Sequence, residues 1–170
     1  MALSSITKKL IMSISGLFLI VFLLLHMTIN FFSVIDSFTG KYGAADGLFQ
    51  AGCDFMALPF ITIMVPVLAA GFLVHIVYAF ILSYGNYKAR GTERYAVANK
   101  TQAESWAAKN MLVLGVIVLG FAVFHMSHFW AEMQYVEWFK GEHVAPESVY
   151  ALMEFTFGKW WMVAIYIVWF

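Results

Sequence analysis

Four apolar runs organise the chain: Leu10 to about Phe32, about Pro59 to Tyr84, Met111 to Met133, and Trp160 to Phe170. The first three are long enough, at 1.5 Å of rise per residue, to cross a hydrocarbon layer about 30 Å thick. Pro66 lies inside the second, where it frees a carbonyl and kinks the helix, a defect that a bundle absorbs. The third begins earlier than its apolar residues, because Thr101-Gln-Ala-Glu104 has capping-box spacing ahead of Trp106 and Lys109. The fourth rises only about 16 Å and reads as a cut helix. The predicted fold is all-α, an integral membrane antiparallel helix bundle forming one domain over 1–170. Its predicted spans are about 10–32, 59–84 and 102–133, with a truncated fourth at 158–170.

Composition removes the soluble alternative. The chain is 62% hydrophobic and 12% charged, with a mean hydropathy of +0.80. A soluble globule could not hide that much apolar surface. Formal net charge is zero, so the balance gives no sign of a nucleic-acid partner. Cys53 is the single cysteine, which excludes an internal disulfide. Lys8 and Lys9 precede the run Leu10–Leu25, but no small-residue cleavage site follows, so the run reads as a span.

Charge then orients the spans. Lys8 and Lys9 at the N-terminus and Lys88, Arg90, Arg94, Lys100 and Lys109 between spans two and three form the basic side. The segments after spans one and three are acidic, with Asp36, Asp46 and Asp54 in one and Glu137, Glu142, Glu147 and Glu154 in the other. The positive-inside rule puts the N-terminus and the basic loop in the cytoplasm. Tyr42–Leu58 and Pro146–Phe157 read as interfacial pieces, the second opened by its proline. Trp130, Trp138, Trp160 and Trp161 stand where headgroup anchors belong. The loop from Asn86 to Lys109 is a positive-inside signal and also suits docking of a soluble partner.

Histidines within the spans are the candidate chemistry, because an ionisable group in lipid is expensive to keep. His26 and His125 each lie about 25 Å from the cytoplasmic lysines Lys9 and Lys109, counted along a helix. Two imidazoles at one depth on separate helices can hold one haem iron from opposite faces. His75, on a helix of opposite direction, lies nearer the cytoplasm, between Gly71 and Tyr78 on one face. A glycine there leaves room for a flat macrocycle. His26 shares its face with Phe22 and Asn30, and His125 shares its face with Phe121 and Phe129. Any one of these histidines could instead be hydrogen-bonded in a helix interface. His128 is the rival ligand on span three; with Glu132 one turn on, and with Asp36, it is also a candidate for quinone or proton handling near the outer boundary. His143, in an acidic loop, reads as exposed.

These residues carry a resemblance. Ser15-Gly16-Leu17 leading to His26 and Asn30, His75-Ile-Val-Tyr78 followed by Asn86-Tyr-Lys88-Ala-Arg90-Gly-Thr-Glu-Arg94-Tyr95-Ala96, and Ser105-Trp106-Ala107-Ala108-Lys109-Asn110-Met111 leading to His125 resemble one family. It is the cytochrome b membrane subunit of succinate dehydrogenase and fumarate reductase, in its single-polypeptide, five-helix, dihaem form. The resemblance implies two b haems that relay electrons between a membrane quinone, of the menaquinone type, and cytoplasmic flavoprotein and iron–sulfur subunits. It implies a bacterial inner membrane location and an enzyme complex whose dicarboxylate chemistry lies in the partners. By motif position, His26 and His125 would ligate the outer haem, and His75 the inner one. The inner haem's second ligand would lie near position 175, so the polypeptide is expected to continue past Phe170 into a fifth span. The rival class is a small proton-coupled transporter or haem-free anchor with histidines as proton relays, disfavoured by the lack of a carboxylate in the middle of any span.

Overall fold

A computed structural model of the chain describes residues 4–90, 106–141 and 146–169. The capping box at Thr101–Glu104, the basic residues Arg94 and Lys100, and His143 lie outside the described residues. The described chain is helical and divides into two compact units, Met1–Ala103 and Glu104–Phe170. Three helices are long and apolar enough to cross a membrane, and a bent pair near the C-terminus makes a fourth if taken as one span.

The first unit holds α1 (Ser5–Thr39), α2 (Leu48–Met56) and α3 (Pro59–Arg90). Ser4 caps α1 by accepting from the Thr7 amide at 3.1 Å, and Gly40, at φ 74°, ends it in the left-handed conformation that a glycine adopts without a Cβ penalty. The helix outruns the expected 10–32 at both ends, because polar flanks such as Thr7–Lys9 and Ser33–Thr39 continue the backbone ladder without adding to an apolar run. α3 likewise continues from the expected Tyr84 to Arg90, so Asn86–Lys88 are helical, and Pro66 sits within it.

Burial on α1 is the reverse of a soluble helix. Its buried residues are Ser15, Ile29, Ser33 and Asp36, while Leu17 is 64% exposed and Leu24 61% exposed. Large aliphatics face outward and small or polar residues face the protein, as expected where lipid is the solvent and close backbone approach holds helices together. α1 and α3 run antiparallel: Ser15 and Gly16 meet His75, and Phe18 meets Gly71. A Cβ on Gly71 would stand 3.2 Å from the Phe18 ring. α2 packs as closely on α1, since a Cβ on Gly52 would come within 2.8 Å of Ile29 Cγ2.

The segment between α1 and α2 is tied at both ends. Asp36 is fully buried, and its Oδ1 and Oδ2 accept from the amides of Leu48 (2.9 Å) and Phe49 (2.8 Å). Gly47 precedes α2 and offers no side-chain cap, so the aspartate of the neighbouring helix satisfies these first-turn donors. Lys41 and Asp46 pair across the turn at 2.8 Å. Their hydrogen bond holds the Asp46 carboxyl below the usual carboxylate range and pushes the Lys41 ammonium up.

The second unit begins with the short α4 (Trp106–Lys109), then α5 (Met111–His128). The expected unbroken span of 102–133 is interrupted. At one end Asn110 Nδ2 donates to the Trp106 carbonyl at 2.9 Å, a local bond that competes with the helical ladder. At the other, α5 gives way after His128 to a π-helix, Ala131–Lys140, which Gly141 ends at φ 68°. Ser127 Oγ (2.7 Å) and His128 Nδ1 (2.9 Å) both donate to the Phe124 carbonyl in the last α-turn.

α6 (Pro146–Phe157) and α7 (Trp160–Trp169) follow, and Val149–Phe157 meets Trp160–Trp169 at 91°. Gly158 makes the corner: its amide donates to the Glu154 carbonyl at 2.7 Å, and a Cβ there would lie 2.6 Å from that oxygen. Lys159 Nζ sits 3.7 Å over the Phe155 ring.

Candidate functional site

The candidate imidazoles lie on apolar helices, one each on α1 and α3 and two on α5. In the first unit, His75 Nδ1 lies 3.0 Å from Ser15 Oγ, and a Cβ on Gly16 would come within 3.3 Å of His75 Cε1. The Ser15-Gly16 pair thus brings α1 against the edge of the imidazole. The expected notch at Gly71 is not open, because the Phe18 ring lies over that glycine. Its small size serves helix contact.

His26 is half-buried on α1 and stacks on Phe22, with ring centroids 5.6 Å apart. Asn30, one turn on, donates through Nδ2 to the His26 carbonyl at 2.8 Å and stands 3.4 Å from His26 Nε2. The shared face of Phe22, His26 and Asn30 expected from spacing is present. Asp36, expected as a quinone or proton candidate, has both carboxylate oxygens committed to the first turn of α2.

In the second unit an aromatic cluster joins α5 to α7. His125 stacks on Phe121 (5.9 Å) and tilts against Phe129 (5.0 Å), and Tyr166 approaches it edge-on at 6.3 Å. Tyr166 also meets Phe121, Phe124 and Phe157. Trp169 stacks on Phe124 at 5.9 Å and donates from Nε1 to the Ile117 carbonyl at 3.0 Å. A Cβ on Gly120 would meet that indole at 3.2 Å. Tyr166 meets His125 while Trp169, three residues on, reaches back to Ile117, so α7 runs opposite to α5 with rings between the backbones. An open apolar groove of about 650 Å³ lies beside the cluster, lined by Ile117, Phe124, Ala164, Ile165, Val168 and Trp169.

His128 packs its ring against Phe124 at 4.5 Å, and its Nδ1 is 2.9 Å from the Phe124 carbonyl. A carbonyl only accepts, so Nδ1 carries the proton, and in the neutral ring Nε2 keeps its lone pair. Glu132, expected one turn further along that face, is exposed in the first turn of the π-helix.

Spacing could not have found Tyr166 and Trp169, which reach His125 and α5 from another segment. Ser15 left a faint mark, a serine–glycine pair inside an apolar run. Among the described residues no three His, Cys, Asp or Glu side chains gather to hold a bare metal ion. The donor set of isolated imidazoles fits a metal that brings most of its own ligands, as haem iron does with one or two axial histidines.

The folded chain is therefore an all-α protein with membrane-length apolar helices that carry structurally supported histidines: His26 on α1, His75 on α3, and His125 and His128 on α5. Comparison with protein-family models, curated proteins and solved structures finds no match.

Proposed function

We propose that this chain is a haem-binding cytochrome b membrane anchor of a succinate:quinone oxidoreductase, relaying electrons between membrane quinone and cytoplasmic iron–sulfur and flavoprotein subunits. The observation that carries the haem reading is the state of the imidazoles. His128 donates from Nδ1 to a carbonyl and keeps Nε2 for a metal, and His75 Nδ1 has a hydroxyl at 3.0 Å. The succinate and fumarate assignment rests on the sequence resemblance, with the Asn86–Lys109 stretch as docking face for the iron–sulfur subunit.

His26, His75 and His125 would each offer one imidazole nitrogen to the iron of a b haem. When bound, the haem supplies a one-electron carrier. The protein's residues hold and tune it. Phe22 and Asn30 orient His26, and Phe121, Phe129 and Tyr166 enclose His125 in a low-dielectric shell that disfavours added charge. One observation favours a second assignment on α5: His128, whose nitrogen roles are set by the Phe124 carbonyl, is the ligand in place of His125.

The test is a visible spectrum of the purified chain with a haemochrome determination. A reduced-minus-oxidised b-type spectrum is expected. A preparation that carries no haem and binds none on addition overturns the reading in favour of a haem-free anchor. Proton flux in proteoliposomes would then identify the transporter class.

A further inference from the structure

Ser15 stands in an unusual position for a serine in an apolar helix. It is buried, its Oγ donates to the Met12 carbonyl at 3.1 Å, and the same Oγ lies 3.0 Å from His75 Nδ1 on α3. A hydroxyl has one hydrogen. Given to the Met12 carbonyl, which can only accept, that hydrogen leaves Oγ an acceptor toward His75. The contact with His75 is then a hydrogen bond only if Nδ1 is the donor. Gly16, next along, lets the helices come close enough to form it.

We infer that Ser15 is a positioning residue that holds His75 in its Nδ1–H tautomer, so that Nε2 is the nitrogen offered to a metal. Ser15 takes part in no bond to that metal. It acts through the imidazole, fixing ring orientation and raising the basicity of Nε2 by accepting the proton-bearing nitrogen. Free histidine prefers the opposite tautomer in water, so the assignment needs a cause, and the Met12–Ser15–His75 chain supplies one. That the metal is haem iron rests on the function proposed above. The tautomer does not.

Nitrogen-15 spectroscopy of the full chain, labelled at histidine and purified without haem, tests the idea at a pH where the imidazoles are neutral. His75 is assigned by the signals lost in His75→Gln. The expected spectrum has a protonated Nδ1 and a bare Nε2 for His75. Ser15→Ala should lower the Nδ1–H to Nε2–H ratio by roughly threefold to tenfold, the range that one net hydrogen bond supports. Ser15→Thr, which keeps the hydroxyl, should restore it. A wild-type His75 protonated at Nε2, or a ratio unmoved in Ser15→Ala, overturns the inference. Haem loading is read separately on the same preparations. A haem-free protein with the expected tautomer defeats the cytochrome reading alone, whereas a haem-loaded protein with an Nε2–H His75 in its apo form defeats the role of Ser15 alone.

Discussion

Asp36 and Phe49 lie on consecutive helices and are joined at 2.8 Å, the aspartate Oδ2 accepting from the first-turn amide of α2. With Leu48 on Oδ1, one fully buried carboxylate does the work of an N-cap for a helix that has none of its own. A Cβ on Gly47 would stand 2.8 Å from that Oδ2, so the approach depends on the glycine as well.

Asp36→Ala should therefore destabilise the first unit by about 2–4 kcal/mol, the combined range for a lost cap and for charged hydrogen bonds. Asp36→Asn keeps an acceptor oxygen and should lose about half as much. Thermal unfolding in detergent measures this, and proteolysis should begin at Leu48–Met56. If both variants unfold like the parent and only quinone reactivity changes, proton handling replaces capping as the role of Asp36.

Gly52 and Ile29 make a second close approach. Gly52→Ala should cost about 1–3 kcal/mol by overpacking, since the new methyl meets Ile29 Cγ2. Ile29→Ala on top of it should be milder than the two single changes added together. Strict additivity in unfolding measurements would show that the two helices do not meet there.

Cys53 tests the α1–α2 packing by chemistry. Burial, with the Asp54 charge adding to it, pushes the thiol up to about 11. A raised value disfavours the thiolate, and only the thiolate attacks an alkylating reagent. Alkylation at pH 8 should run at roughly a thousandth of the fully ionised rate and climb about tenfold per pH unit toward 11. Fast labelling at neutral pH would mean that α2 leaves the thiol open.

The two α5 histidines make different spectral predictions. If His125 is the ligand, His125→Gln should abolish one haem signal and His128→Gln should only shift it. If His128 is, the pattern reverses. His75→Gln should remove a different signal from His26→Gln. Four variants that all retain the full spectrum would leave none of these imidazoles as an axial ligand.

Helices long and apolar enough to cross a membrane were legible in the chain itself. Span length is a local sum of apolar residues set against a fixed thickness, and α1, α3 and α5 needed nothing beyond it. The start of α6 was legible too, from the proline that opens it, but the right-angle turn at Gly158 was not. Helix ends were less so, since polar flanks carry α1 and α3 well past their apolar runs. What faces what was decided only by tertiary structure. A helix bathed in lipid is apolar on nearly every side, so its pattern does not distinguish the face that meets lipid from the face that meets a neighbour. Ser15 reaches His75 from 60 residues away, Phe18 covers the glycine that looked like a notch, and Asp36 reaches across to the first turn of α2. Each depends on the rotation of two helices about their axes, which close packing of small residues settles and hydropathy leaves open.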